Sequence, residues 1–166
     1  MACAYRIGGL FILCLRAVFG RFYSVVQMDD SKRRAASHTR RMIDENHMRR
    51  AMQAYIDAFN SGDADAVLAL YADEATVEDP VGTPAKVGMA EIEAFYRYSV
   101  GLGAKLTLVA PIRASYTNSA AMAFDVQVTL PEQGPCLIRV IDVMTFNEAG
   151  KFTSMKAYWG PGDMER

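Results

Sequence analysis

The sequence predicts an α+β domain whose three helices come first and pack on one face of a mainly antiparallel sheet. Two observations predict the element order. Over 43–59, 64–73 and 89–100, apolar side chains recur at helical spacing. After Gly103 the chain falls into four apolar runs, 104–115, 120–130, 136–147 and 151–159, separated by the turn-forming stretches YTNS, PEQGP and NEAG. Such short connections imply antiparallel neighbours.

The first helix is carried by Met48, Met52, Tyr55 and Phe59, and NSGD at 60–63 ends it with turn residues. A second helix is expected over ADAVLALYAD, with Val67, Leu68 and Tyr71 on one side. EATVEDPVGTPAKVG follows, and its two prolines and two glycines make it a short extended piece and a loop. A third helix over 89–100 places Ile92, Phe95 and Tyr96 on its apolar side. In the third strand, alternate positions read Ile138, Val140, Asp142, Met144 and Phe146. A carboxylic acid in that apolar row needs a reason, because burying an ionised one without a partner is heavily penalised. The other face of the strand is apolar too, through Leu137, Ile141 and Val143. With helices on one face, that surface is expected to meet a second copy of the chain as a homodimer.

Charge divides the chain. Residues 1–50 carry ten Lys/Arg against four Asp/Glu, and the remainder eight against fifteen. The acidic portion argues against a nucleic-acid partner, which needs a basic surface. A 51% apolar share is that of a globular chain. Residues 1–42 read as a basic leader, and 43–166 as one domain. The apolar run IGGLFILCL is too short to span a bilayer, and no acid precedes Asp29. The leader therefore fits a targeting peptide, a disordered arm, or a start assigned too early. The domain is expected in the cytoplasm, with targeting or export left open.

Cys136 is alone in the domain, and no metal-ligand spacing is present. His38 and His47 fall before the regular pattern, so no histidine is expected inside the domain. Acid–base work then belongs to carboxylates, tyrosines or lysines. Tyr55 on the inner face of the first helix, Asp79 in TVEDP and Asp142 in the apolar row are the candidates. Alone, Tyr55 also reads as a core tyrosine, and Asp79 before proline as a turn or capping residue. Asp142 is hardest to read as merely structural, because Arg139 lies on the opposite face.

The ordered segments AYIDAFNSGD, LYADEATVEDPVG, IEAFYR, CLIRVIDVMTFNEAGK and MKAYW resemble the bacterial ketosteroid isomerases, within the nuclear transport factor 2-like (cystatin-like) superfamily. The resemblance runs from about Ile43 to Trp159. It implies a conical pocket and a cofactor-independent steroid Δ-isomerase, with no metal. It implies that Asp79 is the general base and that Tyr55 and Asp142 are the oxyanion-hole donors. Phe95, Met122, Phe124 and Trp159 would contact substrate, a 3-ketosteroid or similar hydrophobic enone. Tyr71 and Tyr96 match tyrosines that form a hydrogen-bonded chain behind the oxyanion tyrosine in one branch. That family is itself the standard case of a carboxylic acid held neutral at working pH, so this role for Asp142 comes with the resemblance. Ala123 and Arg139 depart from the pattern, standing where proline and an acid are expected. A non-catalytic dimeric ligand-binding or association module, and a polyketide cyclase or dehydratase, are the alternatives. Enzymes of the latter kind commonly use histidine.

Overall fold

A computed structural model describes residues 4–7, 10–13 and 43–166. The chain divides into two units, Met1–His38 and Thr39–Arg166. In the first, β1 (Ala4–Ile7) and β2 (Leu10–Leu13) pair antiparallel. Most of the predicted leader otherwise lies outside the described residues. Among those residues no helix is long and apolar enough to cross a membrane.

The second unit opens with α1 (Glu45–Ser61), capped by Asp44, whose side chain accepts from the Asn46 N–H. Gly62 ends it at φ 79°, a conformation that favours glycine. Met48, Met52, Tyr55, Ile56 and Phe59 are its buried stripe, as the spacing predicts. The second helix, α2, covers only Ala64–Leu68. Tyr71 is not on it, contrary to the sequence expectation: it begins β3 (Tyr71–Glu78), where Tyr71, Ala75 and Val77 are buried. The apolar residues of this stretch satisfy both a helical and an alternating pattern, and pairing of β3 with the sheet decides between them. β4 (Lys86–Val87) turns back on β3 before α3 (Met89–Gly101), which buries Ile92, Tyr96 and Val100.

The expected first long strand is two pieces, β5 (Lys105–Leu108) and β6 (Arg113–Ala114). Pro111 between them has no N–H to donate to a ladder. Then come β7 (Ser119–Leu130), β8 (Gly134–Phe146), β9 (Phe152–Tyr158) and β10 (Met164–Glu165). They form one open mixed sheet of eight strands, in order β4-β3-β9-β8-β7-β5, with β10 beside β8 and β6 beside β7. Its parallel pair is β3 with β9, and the remaining pairs are antiparallel. The β8–β9 turn depends on Gly150 at φ 77°, where an added Cβ would lie 2.2 Å from His47 Nε2. The core lies between the three helices and the inner face of the sheet.

Candidate active site

Asp142 is 1% exposed, and among the described residues it is the one buried charged side chain. On β8 it stands opposite Met122 of β7 and Ala157 of β9. Its Oδ1 has no hydrogen-bond partner. The burial raises its pKa well above the usual carboxylate value, and the charge of Asp79 raises it further. A buried polar atom left unpaired in an otherwise satisfied interior needs an explanation. A neutral carboxyl in this position has an O–H to give.

What Asp142 faces is a cavity of about 260 Å³, which Tyr55, Asp79 and Trp159 also line. α1 contributes Tyr55 and Phe59, and α3 contributes Phe95 and Ser99. The wall then runs along alternate residues of β7 from Phe124 to Leu130 and of β8 from Asp142 to Ile138. Past Asp142 the same rows continue as the fully packed Met122, Met144 and Phe146, so the acid sits at the closed end. Met122 is expected from the resemblance to contact substrate, but it is not in this lining: it packs beside Asp142 in the core.

Tyr55 is 4% exposed, and its hydroxyl is at the end of a chain. The Tyr71 and Tyr96 hydroxyls are 2.5 Å apart, and Tyr96 donates to Tyr55 at 3.5 Å. One hydroxyl carries one proton, so donation by Tyr96 to Tyr55 leaves Tyr71 to donate to Tyr96. The Tyr55 proton is then free to point into the cavity. Burial raises the Tyr55 pKa well above the ordinary phenol value, and Asp142 adds to the rise, so Tyr55 holds its proton. Neither Tyr71 nor Tyr96 reaches the cavity wall.

Asp79 follows β3, with a cis peptide to Pro80. The Val81 N–H donates to the Ala157 carbonyl at 2.8 Å, tying this loop to β9. Trp159, one residue past β9, donates its indole N–H to Asp79 Oδ1 at 2.6 Å. Lys86 donates to the Asp79 carbonyl at 3.2 Å, and its ammonium lies 4.9 Å from the centre of the Phe95 ring. Burial raises the Asp79 pKa, while the Trp159 hydrogen bond and the Lys86 charge oppose the rise. The two acids therefore differ: Asp79 has partners that favour its charged form, and Asp142 has none.

The expectation that no histidine lies in the domain is corrected, because α1 begins before His47. Its Nε2 is 3.0 Å from the Gly150 carbonyl and its ring packs edge-on to Phe146. His47 does not line the cavity. The sequence reading also missed Phe59, Ser99, Leu102, Leu106 and Met164 as cavity walls. The alternation Phe124, Val126, Val128, Leu130 was visible as a signal, but which stretch of it opens on a cavity was not. Nothing in the string marked Lys86 as a neighbour of Asp79; its opposition to Val77 across β3 and β4 makes it one.

The chain matches the SnoaL-like domain over residues 52–155. A steroid Delta-isomerase from Nocardioides simplex is 43% identical over 114 residues, which are 69% of this chain and 90% of that protein. Epoxide hydrolase LasB from Streptomyces lasalocidi is 23% identical over 141 residues, 73% of this chain but half of that protein. Among solved structures, SalBIII is described as an epoxide hydrolase/cyclase-like enzyme with a role in pyran ring formation in the polyether salinomycin. It matches with a TM-score of 0.69 at 28% identity, over 73% of this chain and 96% of that one.

Proposed function

The chain belongs to the SnoaL-like domain family and is ketosteroid isomerase-like within it, and from that premise we propose that it is a steroid Δ-isomerase working through Asp79, Tyr55 and Asp142. The observation that carries the reading is the unpartnered Asp142 carboxyl sharing one apolar cavity with the Tyr55 hydroxyl and with Asp79. LasB and SalBIII show that this fold also serves other chemistry, so the fold alone selects nothing.

The substrate is a 3-oxo-Δ5-steroid or a similarly shaped β,γ-enone. Its ketone oxygen lies against the Tyr55 and Asp142 hydroxyls. Ionised Asp79 removes a proton from the carbon between the ketone and the double bond. The released electron pair moves through the new C=C onto oxygen, giving a dienolate. Charge grows on the oxygen that the two donors face, and preplaced donors in a dry site stabilise it without reorganising. The neutral Asp79 then returns the same proton to the far carbon of the former double bond. The electron pair flows back, the ketone re-forms, and the double bond ends in conjugation. One base makes both transfers, and the sequence of steps consumes no redox equivalent. Appearance of conjugated-enone absorbance from a Δ5-3-ketosteroid tests it directly, with a folded protein that does not exceed buffer overturning it.

Lys86 helps to keep Asp79 ionised. The charged or polar groups around Asp79 are Lys86, the Trp159 indole and, across the cavity, Tyr55 and Asp142. Removing the ammonium in Lys86→Met raises the Asp79 pKa, so activity is lost at a higher pH on acidification. The acidic limb of the kcat/KM profile is expected to move to higher pH, with Lys86→Arg restoring it. The high-pH plateau stays within about twofold, because Asp79 is ionised there in both proteins.

A homodimer belongs to the same proposal. On the sheet face away from the helices, Val81, Val109, Ala123, Ile141 and Tyr158 line a shallow groove together with Arg139, Asp125 and Asp163. Ile141 is 50% exposed and Val109 58%, an apolar centre with both charges at its margin, which suits a second copy of itself. Ile141→Glu is expected to convert dimer to monomer in sedimentation, whereas an unchanged mass would remove this face as the interface. Residues 43–166 are the proposed catalytic domain, acting in the cytoplasm.

A further inference from the structure

The cavity's two ends differ in chemistry. Its closed end holds the polar groups of the reaction. Its other end is walled by Leu102, Val128, Leu130, Ile138 and Met164. The hydroxyl nearest that wall, Ser99, already donates to the Phe95 carbonyl at 2.9 Å. The remote part of the ligand therefore meets hydrocarbon and no free donor.

One piece of this wall is brought from the C-terminus. β9 stops opposite Ile141, which leaves the first half of β8 without a neighbour on that side. A 3-10 turn, Pro161–Asp163, carries the chain off this edge and returns it in the same direction, held by the Gly160 N–H on Asp163 Oδ2 at 2.8 Å. β10 then fills the vacant edge, with Met164 opposite Ile138 and Glu165 opposite Leu137. Alternation turns Met164 toward the cavity and Glu165 outward. Glu165 Oε1 accepts from Arg139 Nη2 at 2.8 Å, and Arg166 donates to Gln133 at 2.8 Å. The pair is half exposed and contributes little stability by itself, but it fixes where a two-residue strand sits.

We infer that Met164, held on β8 by the Arg139–Glu165 pair, is a specificity-determining residue that limits the length of ligand at the end remote from the ketone. The choice of ligand rests on the isomerase reading; the geometry of the wall does not. A compact steroid nucleus fits against Met164, and a nucleus bearing a long alkyl chain there collides with it. Met164→Ala opens the wall, and Arg139→Gln loosens the strand that carries it.

The probes are two pairs of 3-ketosteroids, with and without a long alkyl chain at the remote end, one pair Δ5 for turnover and one already conjugated for binding. Trp159 is the single tryptophan of the chain and lines the cavity, so its fluorescence reports binding. In Met164→Ala, kcat/KM and affinity for the chain-bearing ligand are expected to rise about tenfold relative to the compact one. Arg139→Gln shifts the same ratio in the same direction by less. An unchanged or reversed ratio in Met164→Ala, with the compact ligand still bound, overturns the inference. If binding selectivity shifts but no protein isomerises the compact Δ5 ligand, the isomerase reading fails and the wall assignment stands. If neither ligand binds wild type, both fall.

Discussion

Asp79→Asn is expected to lower kcat for conjugation of a Δ5-3-ketosteroid by about 10²–10⁴-fold, the range that a positioned general base contributes. The substitution keeps the shape of the side chain and removes its basicity. An amide oxygen can still accept from the Trp159 indole, which now reaches Oδ1 at 2.6 Å, so the loop geometry and KM should change little. Wild-type kcat/KM should fall on acidification as Asp79 takes up a proton. That limb lies above the usual carboxylate range, because burial outweighs the opposing effects of Trp159 and Lys86. A fall in kcat with KM held marks a group used in the transition state, whereas a rise in KM alone would make Asp79 a binding residue. An Asn variant that keeps a tenth of the wild-type rate would exclude Asp79 as the base.

Asp142 separates by the replacement chosen. Asp142→Leu removes a donor from a dry site and is expected to cost about 10²–10³-fold in kcat. Asp142→Asn should retain much more, since its amide still offers N–H where the neutral acid offers O–H. If Asp142 were ionised in the working enzyme, Asn would instead relieve a repelling charge beside the developing oxyanion and exceed wild type. The same residue sets a stability slope. Below about pH 4 Asp142 is protonated whether the chain is folded or not. Above it the unfolded chain releases a proton that the folded one keeps. Stability therefore falls with rising pH, at about 1.4 kcal/mol per unit, until the folded carboxyl itself titrates. Both neutral variants lack this slope. Their urea midpoints should gain on wild type as pH rises from 4 toward neutrality, and equal midpoints at every pH would mean that Asp142 has an unshifted pKa. A site that weakens the fold while serving the reaction is the pattern expected of an activity–stability trade-off.

Much of this could be read from the string because local patterns and tertiary roles agree there. Met48, Met52, Tyr55 and Phe59 repeat at helical spacing, and they are the face that α1 buries. The run from Ile138 to Phe146 alternates, and β8 points those residues inward. Asp142 stood out for a physical reason that needs no coordinates: an acid in an apolar row is either paired or neutral. Where two local patterns competed, the sequence could not choose. Tyr71 fits a continued α2 as well as a strand, and only the parallel pairing of β3 with β9 makes it a strand residue whose hydroxyl meets that of Tyr96.

The order of helices and strands, the acidic domain and the acid on its apolar strand were determined by the sequence itself, since each is a property of residues a few positions apart. Tertiary structure alone decided that Trp159 bonds to Asp79 across eighty positions, that Lys86 lies beside it, that Met122 is core rather than cavity wall, and that Met164 lines the cavity. Those outcomes depend on register and on how far each strand runs before its neighbour ends. Shifting a strand by one residue turns every side chain to the other face, and no short-range pattern specifies where a neighbouring strand stops.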